Sequence, residues 1–218
     1  MFVHLRLHSE FSVVDGTIRL DEVVEAAAAD GQPALGLTDL SNLFGAIKFY
    51  KAARGAGVKP VLGAEVFVHG LGPEVAPGAS VQQQSLPRML LLVQSHQGYL
   101  NLCELLSRAW TRNMLRDQAA IKWEWLQELS EGLILLSGAH SGPVGLALLA
   151  GDEARAAELA QQLATAFPQR FYLELQRAGR PDDERHVPAA VQLAARLHLP
   201  VVATQPAQFL TPDDYEAH

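Results

Sequence analysis

The sequence predicts an α/β fold, a distorted seven-stranded (β/α)7 TIM-like barrel, and three observations point there. Short apolar runs alternate with helical patterns seven times, no glycine-rich phosphate loop follows the first apolar run, and one long irregular stretch alone breaks the alternation. Strand–helix alternation favours a parallel β/α architecture. Without a phosphate loop, closure into a barrel is favoured over an open nucleotide-binding sheet.

The strands are read first. Phe2–Leu7 alternates apolar and polar residues up to His8. Ala34–Thr38, Val61–Val68, Met89–Val93, Leu133–Ser137, Phe171–Leu175 and Pro200–Ala203 follow, rich in the Val, Leu and Phe of strands covered by helices. Leu20–Asp30 is an alanine-rich helix stopped by Gly31, and Phe44–Arg54 runs into Gly55. Tyr99–Arg112, Trp123–Glu131, Val144–Ala150, Glu153–Phe167 and Val187–His198 complete the helices. Pro168 ends one of these. Pro188 is assigned to the first turn of another, because an interior proline removes a helix hydrogen bond. His69–Pro87, with its glycines, prolines and three glutamines, reads as a surface loop. At the far end, Thr211-Pro212-Asp213-Asp214 has a capping threonine, a proline at the first helical position and acids at the positive end. A helix of one turn has no stability alone. Residues 1–218 are therefore expected to be a single domain, the N-terminal fragment of a longer chain.

Composition narrows the function classes. With 49% hydrophobic and 19% charged residues the chain reads as globular. No apolar run reaches the roughly 20 residues of a membrane span, and the first fifteen residues lack a signal peptide's basic start and apolar stretch. The single cysteine, Cys103, fits a reducing cytoplasm and is expected to be a small buried apolar side chain. A net charge of −7 argues against direct DNA binding by this fragment. Arg108, Arg112 and Arg116 recur at helical spacing and read as a solvated face. Trp110, Trp123 and Trp125 read as packing residues, although tryptophan also marks interfaces. His69, His96, His186 and His198 read as surface residues.

In parallel barrels the chemistry sits at the carboxyl ends of strands. Those ends carry His8 and Asp15, Thr38-Asp39-Leu40, Gly63-Ala64-Glu65, Leu86-Pro87-Arg88, Ser137-Gly138-Ala139 and Ala203–Gln208. His8, Asp15 and Glu65 are possible metal ligands. Arg6, two residues before His8 on the same strand face, cannot ligate a metal. A zinc site needs about four donors and a two-metal hydrolase more. Three donors cannot supply either. His4 lies about 13 Å from His8 along a strand and adds nothing. Ser9 and Ser12 lack an orienting acid in triad order, so nucleophilic catalysis is not expected of them.

Long ordered stretches carry a more specific signal. HLRLHSEFSVVDG (4–16), ALGLTDLSNLFGAIKFYKAARGAGVKPVLGAEVFV (34–68), GYLNLCELLSRAW (98–110), EGLILLSGA (131–139) and LPVVATQ (199–205) resemble the PHP (polymerase and histidinol phosphatase) domain found at the N-terminus of bacterial DNA polymerase III alpha subunits. The resemblance implies the PHP fold and, in metal-binding members, a nine-ligand cluster that cleaves phosphate esters. Carried over residue by residue, His8, Asp15 and Glu65 keep a ligand. Arg6, Leu40, Arg88, Ala139, Pro206 and Gln208 stand where ligands would be, and of these only Gln208 could offer even a weak amide oxygen.

The expectation is a vestigial metal site with no catalytic residue and no cofactor in this fragment; magnesium belongs to the absent polymerase domain. Arg6 and Arg88 should then form an electrostatic clasp with Asp15 and Glu65, guanidinium charge standing in for metal charge. The implied role is a scaffold for the remaining polymerase domains and a dock for the proofreading exonuclease subunit. The alternatives are a metal-dependent phosphoesterase, free-standing or acting as an intrinsic 3′–5′ proofreading exonuclease.

Overall fold

The structure, a computed structural model, describes residues 2–13, 15–72 and 86–211. They group into two compact units, Met1–Glu65 with Thr204–His218, and Val66–Ala203. The helix start expected from Thr211 onward and most of the surface loop expected over His69–Pro87 lie outside the described residues.

In the first unit, α1 (Leu20–Ala29) buries Leu20, Val23, Val24 and Ala27, the spacing of one helical face. Asp21 and Glu22 sit in its first turn, where the helix dipole favours acids. β1 (Ala34–Leu37) pairs in parallel with β2 (Lys59–His69), from Ala34 opposite Lys59 to Leu37 opposite Leu62. Between them α2 (Ala46–Gly55) buries Ala46, Phe49 and Ala53. Leu7, Ile18, Leu20, Leu35, Leu37 and Phe49 meet in one apolar core.

The expected first strand, Phe2–Leu7, is corrected. This segment lies beside β1, with Gly36 N–H donating to the His4 carbonyl and Thr38 N–H to that of Leu7. Away from β1, isolated bridges join Leu7 to Ala207 and, just past the segment, Ser9 to Ile18. The Thr38 side chain takes the Leu7 N–H at 3.0 Å, so a side chain replaces one backbone rung. Gly36 permits the approach, since a Cβ there would stand 2.8 Å from the Leu5 carbonyl oxygen.

In the second unit the strand order is β4–β5–β2–β3–β6–β7–β8. These are β3 (Arg88–Val93), β4 (Met114–Leu115), β5 (Gln118–Lys122), β6 (Leu133–Leu136), β7 (Phe171–Leu175) and β8 (Val201–Ala203). Helices α3 (His96–Arg112), α4 (Trp123–Glu128), α5 (Pro143–Leu149), α6 (Glu153–Ala166) and α7 (Asp183–Leu197) accompany them. The α/β class holds, but the seven-strand, all-parallel reading does not. Among the described residues there are eight strands, and β3–β6 and β4–β5 pair antiparallel. The β4–β5 hairpin turns through Arg116 and Asp117, both with positive φ, as a two-residue hairpin requires. Arg-Asp is an uncommon turn dipeptide, and nothing in the pattern flagged it. Between β2 and β3 the sequence shows no helical pattern, and a parallel neighbour needs a crossover, usually a helix.

Helix ends shifted too. α4 stops at Glu128 rather than Glu131. α7 starts at Asp183, so Pro188 lies inside it and not in its first turn. The His186 N–H already donates to the Asp182 carbonyl, and Asp183 and Glu184 supply the acidic first turn that the proline cue obscured. That register buries His186 with Ala190 and Leu193, against the expectation of a surface histidine. Cys103 is half-buried on α3 and not fully buried, Trp123 is buried, and Trp110 is half-exposed.

Candidate functional site

The site residues of the first unit converge through backbone pairing. His8 N–H donates to the Ala207 carbonyl at 2.9 Å, and Ala207 N–H to the Arg6 carbonyl at 3.2 Å. Pro206 and Gln208 therefore flank the segment that carries Arg6 and His8. The Gln208 carbonyl accepts from Thr17 N–H and Thr17 Oγ1. Leu40 forms a parallel bridge with Glu65, which brings the residues just past β1 against β2.

Side chains then build a charged cluster. Arg6 Nη1 lies 2.6 Å from Glu65 Oε1, and both side chains are buried. His8 Nδ1 lies 2.9 Å from Asp15 Oδ1. On the other side of the ring, Nε2 is 2.9 Å from Glu65 Oε2, at ion-pair distance but off the hydrogen-bond axis. Burial alone would push the His8 pKa down; the two carboxylates overcome it, through hydrogen bonding and charge, and hold the pKa at about 9. At neutral pH His8 is therefore an imidazolium. Burial would raise the Asp15 pKa, yet the His8 contact holds it below the ordinary carboxylate value.

A second layer wires this cluster to the backbone. Ser12 Oγ donates to Asp15 Oδ1 at 2.8 Å and accepts from Leu40 N–H at 2.9 Å. Ser9 donates to Asp39 twice, from N–H at 2.6 Å and from Oγ at 3.0 Å. Asp39 is buried, and burial raises its pKa although Ser9 partly offsets the effect. Sequence reasoning considered Ser9 and Ser12 only as nucleophiles and passed over Asp39. The signal available was the Ser-x-x-Ser-x-x-Asp spacing across the 3₁₀ turn Glu10–Ser12, which suits hydrogen bonding to local backbone and acids.

A metal ion of the kind the resemblance implies does not fit these residues. An imidazolium has no lone pair, so a metal would first have to displace the proton that His8 holds between two carboxylates. Glu65 already faces the Arg6 guanidinium and the His8 imidazolium, two charges of the sign a metal would bring. Among the described residues no group of three or more His, Cys, Asp or Glu is placed to hold an ion.

Two of the sequence-selected residues lie in the second unit. Arg88 opens β3, with its guanidinium carbon 5.4 Å from the centre of the Phe67 ring. Ala139 is buried at the start of the 3₁₀ turn Ala139–Ser141. The adjoining Gly138 has φ +83°, and a Cβ on it would run into the Arg88 carbonyl. This unit also holds a buried carboxylate that the sequence did not flag. Glu174 accepts from Gly138 N–H at 3.1 Å and from the Gln176 side-chain amide at 3.0 Å. It was overlooked because Phe171–Leu175 reads as an apolar strand. No helix among the described residues is long and apolar enough to cross a membrane.

Comparison with known proteins places this geometry. The model of the PHP domain family matches residues 4–178. DNA polymerase III subunit alpha of Pseudomonas aeruginosa is 44% identical over 217 residues, covering all of this chain and 18% of that protein. The subunit of Escherichia coli is 43% identical over the same length, and that of Neisseria meningitidis 45% over 222 residues, again 18% of each protein. Among solved structures, an amidohydrolase from Chromobacterium violaceum with bound sulfate and no metal superposes with a TM-score of 0.58 at 15% identity, over 97% of this chain and 88% of that one. A proposed metal-dependent phosphoesterase from Bifidobacterium adolescentis gives 0.55 at 13% identity, over 95% and 87%. These two likenesses concern the fold alone.

Proposed function

The chain belongs to the PHP domain family, and from that membership we propose that it is the N-terminal PHP domain, single across residues 1–218, of a cytoplasmic bacterial DNA polymerase III alpha subunit. Its strands close into a distorted barrel. DNA synthesis, with its magnesium, is the work of the parts of the chain beyond residue 218, since the chain spans only 18% of the length of the curated relatives it matches. The domain itself is catalytically silent, does not bind DNA directly, and serves as a scaffold for the remaining polymerase domains and a dock for the exonuclease subunit.

One observation carries the silent-scaffold reading. Arg6, His8, Asp15 and Glu65, at former ligand positions, satisfy one another as two cations and two carboxylates. Metal-assisted hydrolysis needs a metal-bound hydroxide, and neither an arginine nor a histidine protonated up to about pH 9 can stand in as base at pH 7. Purified protein incubated with p-nitrophenyl phosphate or single-stranded DNA, plus manganese or zinc, should show background rates only. Turnover that disappears in His8→Ala or Asp15→Ala would overturn the reading in favour of the phosphoesterase or exonuclease alternative.

A further inference from the structure

The water-facing side of the first unit is not evenly polar. Among the described residues the three most exposed large apolar side chains are Val13 at 80%, Phe44 at 71% and Ile47 at 62%. All three belong to one corner. Asn42 ties the 3₁₀ turn that ends at Val13 to the loop before α2: its Nδ2 donates to the Phe11 carbonyl and its Oδ1 accepts from Phe44 N–H, each at 3.0 Å. Val13 has φ +48°, which a β-branched residue disfavours, so the turn presents this apolar side chain to water against its own backbone preference. Isolated apolar side chains on a surface are ordinary, but a group of them marks contact with something else.

On α2 the apolar and cationic residues share a face. At about 100° per residue, Ile47, Tyr50, Lys51 and Arg54 fall within about 100° of arc, clear of the buried Ala46, Phe49 and Ala53. Phe44, three residues ahead of Ile47, extends the row. Positions 44, 47, 51 and 54 alternate three and four apart, so the row has an apolar half followed by a cationic half. Lys51 and Arg54 are exposed, and neither has an ion-pair partner among the described residues. Lys48, beside the apolar half, is already held by Glu10 at 3.4 Å and by Asp21 at 3.0 Å.

Charge complementarity selects the occupant. Two unpaired cations on the face of a chain with net charge −7 call for acids opposite them. The apolar half calls for apolar side chains on the same partner. A nucleic-acid strand fits poorly, because it carries a phosphate at every step. Glu10 and Asp21 beside the apolar half would repel it, and two free cations would neutralise little of it. A second copy of the face brings apolar groups and cations but no acid, so Lys51 and Arg54 would stay unpaired. A peptide can place acids at one end and apolar residues at the other, and so matches both halves.

We propose that this face of α2 docks a short segment of another protein in which acidic residues adjoin apolar ones. Such docking is independent of the silent-scaffold reading, since none of its residues enters the charged cluster around His8. A displayed library of random sixteen-residue peptides, selected against the purified protein, should enrich sequences that combine Asp and Glu with apolar residues. In fluorescence anisotropy the Kd of the most enriched peptide should weaken by about tenfold or more in Ile47→Asp, and likewise in the double variant Lys51→Glu with Arg54→Glu. Arg112→Glu, an exposed cation of α3, should change it by less than about twofold. The same peptide with its acids replaced by lysine should bind the double variant more tightly than it binds wild type, which a misfolded variant cannot do. No acidic enrichment, or a Kd indifferent to these variants, would overturn the docking. A fifteen-residue oligothymidylate that binds more tightly than the peptide and is released by the same variants would assign the face to nucleic acid and overturn the peptide. Sedimentation of wild type as a dimer that Ile47→Asp dissolves would assign it to a second copy and do the same.

Discussion

Arg6 in the first unit and Arg108 in the second each place Nη1 2.6 Å from a glutamate oxygen, Glu65 and Glu128. By distance they are the same interaction. By environment they are opposites: the Arg6 and Glu65 side chains are 7% and 4% exposed, and those of Arg108 and Glu128 are 17% and 55%. Arg108 also bonds Glu104 one helical turn away, and its two acids hold its pKa above the ordinary value. Water screens that surface pair, and either partner can be resolvated if the other is lost. The buried pair has no such recourse: removing Arg6 leaves Asp15 and Glu65 sharing the single His8 charge in a low-dielectric interior. Burial, not bond length, decides what an ion pair contributes.

The largest expected effect comes from breaking the buried pair. Arg6→Ala should destabilise the protein by about 3–5 kcal/mol, on the order of 10 °C in Tm. A loss under about 1 kcal/mol in urea unfolding would show that water or the His8 imidazolium suffices for Glu65, and the comparison would collapse. Next in size is the pH dependence of His8. Its folded pKa, about 9, exceeds its ordinary 6.5. Its contribution is therefore complete below about pH 6.5 and is lost as pH rises through 9. The stability gap between wild type and His8→Asn should narrow by a few kcal/mol across that window. A gap that stays constant from pH 6 to 9.5 would mean that His8 does not carry the charge.

Smaller effects sharpen the contrast. Arg108→Ala should lower Tm by less than about 2 °C, and 1 M salt should erase the difference. Salt should hardly touch the Arg6→Ala deficit. A salt-resistant loss at Arg108 as large as that at Arg6 would refute burial as the deciding variable. The smallest expected effect is that of added metal. Zinc or manganese at 100 times the Kd of a working site would stabilise by about 2.7 kcal/mol. Tm at pH 7 should stay where it is, and a clear rise would mean that metal can displace the cations from Glu65.

Part of this contrast was legible in the sequence. Arg6, two residues from His8, is a permanent cation on the same strand face as a candidate ligand, and that alone predicts a partner acid. Which acid it takes was not legible. Asp15, an expected partner of the arginines, is bonded at Oδ1 by His8 and Ser12, and the 3₁₀ turn Glu10–Ser12 is what brings that hydroxyl there. Arg108 read as part of a solvated helix face, and the surface network it makes agrees with that.

Local chemistry thus determined the α/β class and most helix boundaries, because periodicity and caps are properties of short stretches. Pairing direction, the β4–β5 hairpin, the interior place of Pro188 and the burial of His186 and Glu174 were decided only by tertiary structure. Each depends on which surface a segment meets across a long sequence separation, and that partner supplies the hydrogen bonds and excludes the water that give a side chain its charge state.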